Sequence, residues 1–210
     1  MHTIEIKIGQ ETFNLKAITL GQYMNFLASV ENATFKEGVL DILGSTAGLN
    51  LTKVSKEQLF VTLLAKSTTM RPKTQYVCEC GAKRTIELNY THLHQVIPQS
   101  DTVHSEMYQL KGFKVKLKYP TNMFCDDNMY DLILSCIDGI YTSNDVLQLD
   151  DLSELEMDNF VAAFSVQDVL NIKEYLLAPY IQLAIPVSCD CGKSGVKHIK
   201  GLEECIEVLL

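Results

Sequence analysis

Cys78-Glu79-Cys80-Gly81-Ala82-Lys83 and Cys189-Asp190-Cys191-Gly192-Lys193 are two copies of one pattern, set in distant parts of a 210-residue chain. Each copy lies between strand-like runs, 74–79 and 84–90 for the first, 181–188 and 195–199 for the second, so each is expected at the tip of a β-hairpin. In a strand, residues i and i+2 project to the same side, which can place both thiols of a Cys-x-Cys pair on one ion. The glycine after the second cysteine can take a positive φ, turning the chain back and freeing amide groups to point at sulfur. Two such tips supply four sulfurs, Cys78, Cys80, Cys189 and Cys191, a complete tetrahedral set for one structural zinc ion with no position left for water. Zinc knuckles usually separate their cysteines by two to four residues and here the separation is one, so four buried structural thiols, or two redox-active pairs, stand as alternative readings.

Joining residue 80 to residue 189 closes a loop of about 110 residues, at a cost of roughly 4 kcal/mol. Apparent zinc binding energies of ~10–16 kcal/mol exceed that cost. A metal there would tie the middle of the chain to its end, through a zinc-ribbon-like subdomain formed by about 72–92 and 180–201.

Ahead of the first pair, residues 2–8 and 12–16 alternate around Gly9-Gln10-Glu11, the pattern of an N-terminal hairpin. Thr19 can cap a helix in which Leu20, Tyr23, Met24, Leu27 and Val30 form a single apolar stripe, explained as core. Thr34 with Glu37, and Ser55 with Gln58, have capping-box spacing, and each opens a helical run: Val39, Leu40 and Leu43, then Leu59, Phe60, Leu63 and Leu64.

Between the pairs, β-like runs at 107–110 and 113–119 are joined by Lys111-Gly112. Met129, Leu132, Ile133, Cys136 and Ile137 then form a helical stripe behind Asp126 and Asp127, whose charge suits a helix N-terminus. Ser153 with Glu156 and Ser165 with Asp168 open two further helices before Pro179, and 202–210 reads as a terminal helix. Strands and helices come in separate runs, with no low-complexity linker and no repeat of domain size. The expected class is α+β, one domain across 1–210.

The formal net charge of −8 and pI near 5.1 argue against a nucleic-acid or anionic-membrane partner, since both are polyanions. The alternating start lacks the basic and apolar regions of a signal peptide, and no apolar run approaches the ~20 residues that span a bilayer. The chain is therefore expected to be soluble and to stay in the compartment where it is made. Seven cysteines, an odd number in a chain this long, fit a disulfide framework poorly; in a reducing cytosol, clustered cysteines mean metal or redox chemistry.

Other candidates are weaker. His92 and His94 would share one strand face but have no third ligand at a suggestive spacing, and His198, near the second pair, could substitute for a cysteine. Gly192-Lys193-Ser194 ends like a phosphate-binding loop, but Val187 stands where its first glycine belongs. Asp150, Asp151, Glu154, Glu156 and Asp158 lack the loop glycine of a calcium-binding hand and read as a solvated helix face. Cys125, Cys136 and Cys205 are unpaired, Cys136 on an apolar face. Nothing assembles a nucleophile, a base and an oxyanion donor, so the expected protein is not an enzyme and works by binding other proteins.

The order of landmarks resembles the T-even-type bacteriophage baseplate proteins associated with assembly of the baseplate hub in contractile tails. The matching pieces are the opening hairpin running into Leu15-Lys16-Ala17-Ile18-Thr19-Leu20, the helix ending Leu63-Leu64-Ala65-Lys66-Ser67, the cysteine pair after it, Val115-Lys116-Leu117-Lys118-Tyr119-Pro120-Thr121, and the closing pair with Gly201-Leu202 behind it. The resemblance implies a late viral protein made in the host cytoplasm that helps build the hub. Such a protein is either a chaperone absent from the finished tail or a minor structural part, with other hub proteins as partners and no catalytic residues.

Overall fold

Alternation around Gly9 produces the first hairpin, β1 (Thr3–Ile8) with β2 (Glu11–Lys16), in the computed structural model, which describes residues 2–46, 49–68, 72–101, 103, 106–125 and 128–210. Helices α1 (Leu20–Glu31), α2 (Phe35–Leu43) and α3 (Lys53–Thr68) follow, then strands β3 (Lys73–Val77), β4 (Lys83–Glu87), β5 (His94–Val96), β6 (Met107–Gln109) and β7 (Lys114–Leu117). The rest of the chain forms α4 (Met129–Ser135), β8 (Ile137–Tyr141), β9 (Val146–Leu147), α5 (Glu154–Ala162), α6 (Val166–Leu177), β10 (Tyr180–Ser188), β11 (Ser194–Lys200) and α7 (Gly201–Leu209). The described residues are thus mixed α and β, with small antiparallel sheets. Two compact units can be described, Met1–Val96 with Tyr180–Leu210, and Ile97–Pro179. The chain leaves the first unit after β5 and re-enters it at β10, which pairs antiparallel with β5.

The first unit is built on α3. Leu59, Phe60, Val61, Leu63 and Leu64 are each at most 2% exposed, and with Glu57, Gln58 and Thr62 also buried the middle of the helix is covered on all sides, at the centre of the core. β1 turns Ile4, Ile6 and Ile8 inward. Helix α1 meets this core differently from the sequence expectation. Its buried residues are Phe26 and Ser29, whereas Leu20 is 77% and Met24 56% exposed. Phe26 takes the core because Phe60 and Phe35 stand 5.4 and 6.0 Å away, ring centre to ring centre. Gly38 of α2 lies against Ser29, leaving no room for a side chain.

Two expected capping boxes are corrected. Thr34 occupies the cap position of α2 but makes no side-chain cap bond; Ala33 turns the chain at φ +57°, and Thr34 donates back to the Ser29 carbonyl. Helix α3 starts before Ser55, because the Thr52 hydroxyl accepts from the Ser55 amide, and Gln58 donates instead to the Leu93 carbonyl at 2.8 Å.

The second unit carries the sheet β6-β7-β8-β9. Val115, Leu117, Leu132, Cys136, Ile172 and Leu176 form its centre, each at most 1% exposed. The expected stripe through Ile137 breaks: α4 ends at Ser135, Cys136 takes φ −99° and ψ 0°, and Ile137–Tyr141 pairs as a strand with β7. The five residues Ile-Asp-Gly-Ile-Tyr are too few to fix a period by themselves, and here the ladder decides. Asn128 caps α4 by accepting from the Tyr130 and Asp131 amides; Asp126 and Asp127 lie outside the described residues. Ser153 with Glu156 and Ser165 with Asp168 form capping boxes as expected.

Candidate metal centre

Both cysteine pairs close hairpins of the first unit. β3 pairs β4 out to Val77↔Lys83, and β10 pairs β11 out to Ser188↔Ser194, leaving Cys-x-Cys-Gly at each tip. The two tips are built alike. The Cys78 amide donates to the Ala82 carbonyl at 2.9 Å and the Gly81 amide to the Cys78 carbonyl at 2.8 Å. In the second tip, the Cys189 amide donates to Lys193 at 2.8 Å and the Gly192 amide to Cys189 at 2.9 Å. Gly81 and Gly192 both sit at φ +86°, where a side chain would be strained.

The structure brings all four sequence-selected cysteines together. Their sulfurs lie within 4.8 Å of one another. The Cys78–Cys191 and Cys80–Cys189 distances are both 3.7 Å, across the hairpins. A disulfide needs about 2.05 Å, and all seven cysteines are free. Cys78 and Cys189 are buried while Cys80 and Cys191 are exposed, so the cluster has an inner and an outer edge.

Amide groups do point at sulfur in the second tip. The Cys191 amide and the Cys191 thiol hold Cys189 down at about 6. The Lys193 amide acts to lower Cys191, but the neighbouring Cys189 and Cys80 push it up to about 12. Sulfurs packed this closely oppose one another's ionisation, and a cation among them removes that opposition.

Two ion pairs cross between the hairpins. Arg84 of β4 pairs with Asp190, and Lys193 with Glu79 at 2.8 Å. Asp190 raises Arg84 above its ordinary value, with burial opposing and Cys189 adding to the rise. The Tyr76 phenol lies against the backbone of Gly195. Arg84 and Tyr76 had no signal in the sequence, because their partners stand on the other hairpin.

The histidines do not join the cluster. His92 falls in a 3-10 turn over Tyr90–His92, so it and His94 do not share a strand face, and a His94 ring nitrogen lies 3.1 Å from the His92 carbonyl oxygen. His198 is exposed on β11 and is not among the grouped ligands. Cys136 and Cys205 are fully buried, and burial pushes the Cys205 thiol up to about 12. Among the described residues no helix is long and apolar enough to cross a membrane.

The fold and site define an α+β chain whose two distant hairpins meet in a four-thiol cluster able to hold a metal ion. The chain belongs to the T4 bacteriophage base plate protein family, whose profile matches residues 1–207. It is 28% identical over 211 residues, covering 99% of each chain, to the baseplate hub assembly protein gp26 of Enterobacteria phage T4. No solved structure matches it. The family read from the landmarks of the sequence is the family found, and a role in the phage baseplate follows from it.

Proposed function

We propose that the chain is a non-catalytic, chaperone-like factor that promotes assembly of the phage tail baseplate hub through contacts with other hub proteins, with one structural zinc ion on Cys78, Cys80, Cys189 and Cys191. The observation that carries the assembly role is end-to-end similarity to a protein named for baseplate hub assembly, at 28% identity over 99% of both chains. The exposed Leu20 and Met24 of α1 offer an apolar helical face for such contacts. The protein acts in the host cytoplasm, where the hub is put together.

Sulfur geometry supports the metal. Four thiolates about 2.3 Å from one ion stand about 3.8 Å apart, the edge of the tetrahedron, and the cross-hairpin distances here are 3.7 Å. An iron–sulfur cube puts each thiolate on a different iron and spreads the sulfurs farther apart. Zinc closes the site without redox chemistry and makes the two hairpins one folding element.

Purified phage tails analysed by quantitative mass spectrometry test the role. An assembly factor is absent or far below hub stoichiometry, whereas stoichiometric recovery overturns the chaperone reading in favour of a minor structural component of the hub. Co-purification of tagged chain with hub proteins from infected cells tests the contacts, and retention of those proteins by Leu20→Glu/Met24→Glu would remove α1 from them.

A further inference from the structure

The two ion pairs beside the sulfurs are not equivalent. Aligning the tips by their cysteines makes Glu79 the counterpart of Asp190, and Arg84 the counterpart of Gly195. The Tyr76 phenol occupies the space a side chain at Gly195 would need, so the second hairpin carries no cation at the position of Arg84. Arg84 itself pairs with Asp190, the residue between the two cysteines of the second tip; the guanidinium side chain is 32% exposed and the Asp190 side chain 97%, and Cys189 adds to the rise of Arg84. The pair of Lys193 with Glu79 stands out in solvent, with side chains 57% and 81% exposed. Both carboxylates are exposed, so the difference between the pairs lies in the cation, which is the less exposed and the more closely held at Arg84.

We propose that Arg84 is the positioning residue of the four-thiol centre: it holds the second knuckle through Asp190, offsets the charge gathered at Cys189, and thereby governs how slowly the ion leaves. This rests on the zinc reading above. Four thiolates around one divalent ion carry a net charge of about −2, and a guanidinium against one sulfur offsets part of it. Arg84 spans from the first hairpin to Asp190, between the two ligands of the second, so it also resists the separation of the hairpins that release requires. Lysine keeps the charge at this position but not the fork that can face carboxylate and sulfur together.

The test is zinc release from the full-length, zinc-loaded chain, followed with a chromogenic chelator in excess, with zinc per chain and far-UV circular dichroism measured on each variant. Arg84→Met is expected to keep one zinc and an unchanged fold but to release the ion about tenfold faster, the scale on which groups behind metal ligands act. Arg84→Lys is expected in between, and Lys193→Met within about twofold of the unaltered chain. Release from Arg84→Met at the unaltered rate, or an equal acceleration in Lys193→Met, overturns the proposal while the zinc reading stands. An unaltered chain that binds no zinc overturns both. Should Arg84→Met fold poorly, the ordering of Arg84→Lys against Lys193→Met decides alone.

Discussion

Cys78 and Cys191 hold their sulfurs 3.7 Å apart although 113 positions separate them, and Cys80 meets Cys189 at the same distance. These short contacts therefore run between hairpins. Thiols this close resist sharing charge: Cys189 is held down and Cys191 pushed up by one another. A cation between the tips would remove that opposition.

Thiol chemistry reads that occupancy. On chain purified without chelator, Cys78, Cys80, Cys189 and Cys191 are expected to resist alkylation, including the solvent-exposed Cys80 and Cys191, and to react after chelation. Cys136 and Cys205, both 0% exposed, stay protected until the chain unfolds. Cys78→Ser and Cys189→Ser are each expected to abolish the one zinc per chain and to lower the thermal unfolding midpoint. Peptide mapping that finds Cys80 and Cys191 labelled at once, before chelation, removes the metal and returns the redox pairs to consideration.

The orientation of α1 is tested by two substitutions of opposite effect. Leu20→Glu is expected to change stability by no more than about 0.5 kcal/mol, since Leu20 is 77% exposed. Phe26→Ala, at 0% exposed and ringed by Phe35 and Phe60, is expected to cost about 3–5 kcal/mol. Urea denaturation of both variants decides, and a large loss from Leu20→Glu would mean that the apolar stripe of the sequence, and not Phe26, faces the core.

What could be read beforehand was local. The Cys-x-Cys-Gly tips were legible because strand alternation and a turn glycine are written within a few residues, and Ser153–Glu156 and Ser165–Asp168 because a capping box is closed within one turn. The boxes at Thr34 and Ser55 failed to local competitors, the turn at Ala33 and the Thr52 hydroxyl, whereas the remaining failures have a non-local cause. A 3.6-residue stripe on α1 announces that an apolar face exists, but Phe60 and Gly38 choose which side is covered. Ile137–Tyr141 became a strand because β7 supplied a ladder, and Arg84 came to stand beside the four-thiol cluster because Asp190, its partner, lies on another hairpin.

The contact of α1 with α2 is expected to fail on addition of one methyl group. Alanine normally favours a helix over glycine by about 1 kcal/mol. At Gly38, however, the new carbon would meet the Ser29 hydroxyl, with Ser29 Cβ at 2.8 Å and the Phe26 ring at 3.3 Å. Overpacking of a fixed contact costs about 1–3 kcal/mol, so Gly38→Ala is expected to be net destabilising. A denaturation midpoint above that of the unaltered chain would show that the helices separate freely there.

Asp168 gives the second unit an acid-sensitive joint. Its carboxylate accepts from the Ser165 amide and hydroxyl at 2.9 and 2.5 Å and from the Tyr108 phenol at 2.7 Å. Burial pushes its pKa upward, but the Ser165 hydroxyl, the Tyr108 phenol and the Ser165 amide outweigh it and hold the group below the ordinary 3.8. A carboxylate depressed in the folded state stabilises fully above its unfolded pKa and loses that contribution as pH falls through the folded value. Asp168→Asn is therefore expected to lower stability by about 1 kcal/mol near neutral pH, the scale of a lost cap bond, with the gap to the unaltered chain closing below pH 3.8. Tyrosine fluorescence during denaturation at a series of pH values measures it. A gap that stays constant into acid would assign the loss to packing and not to the charge on Asp168.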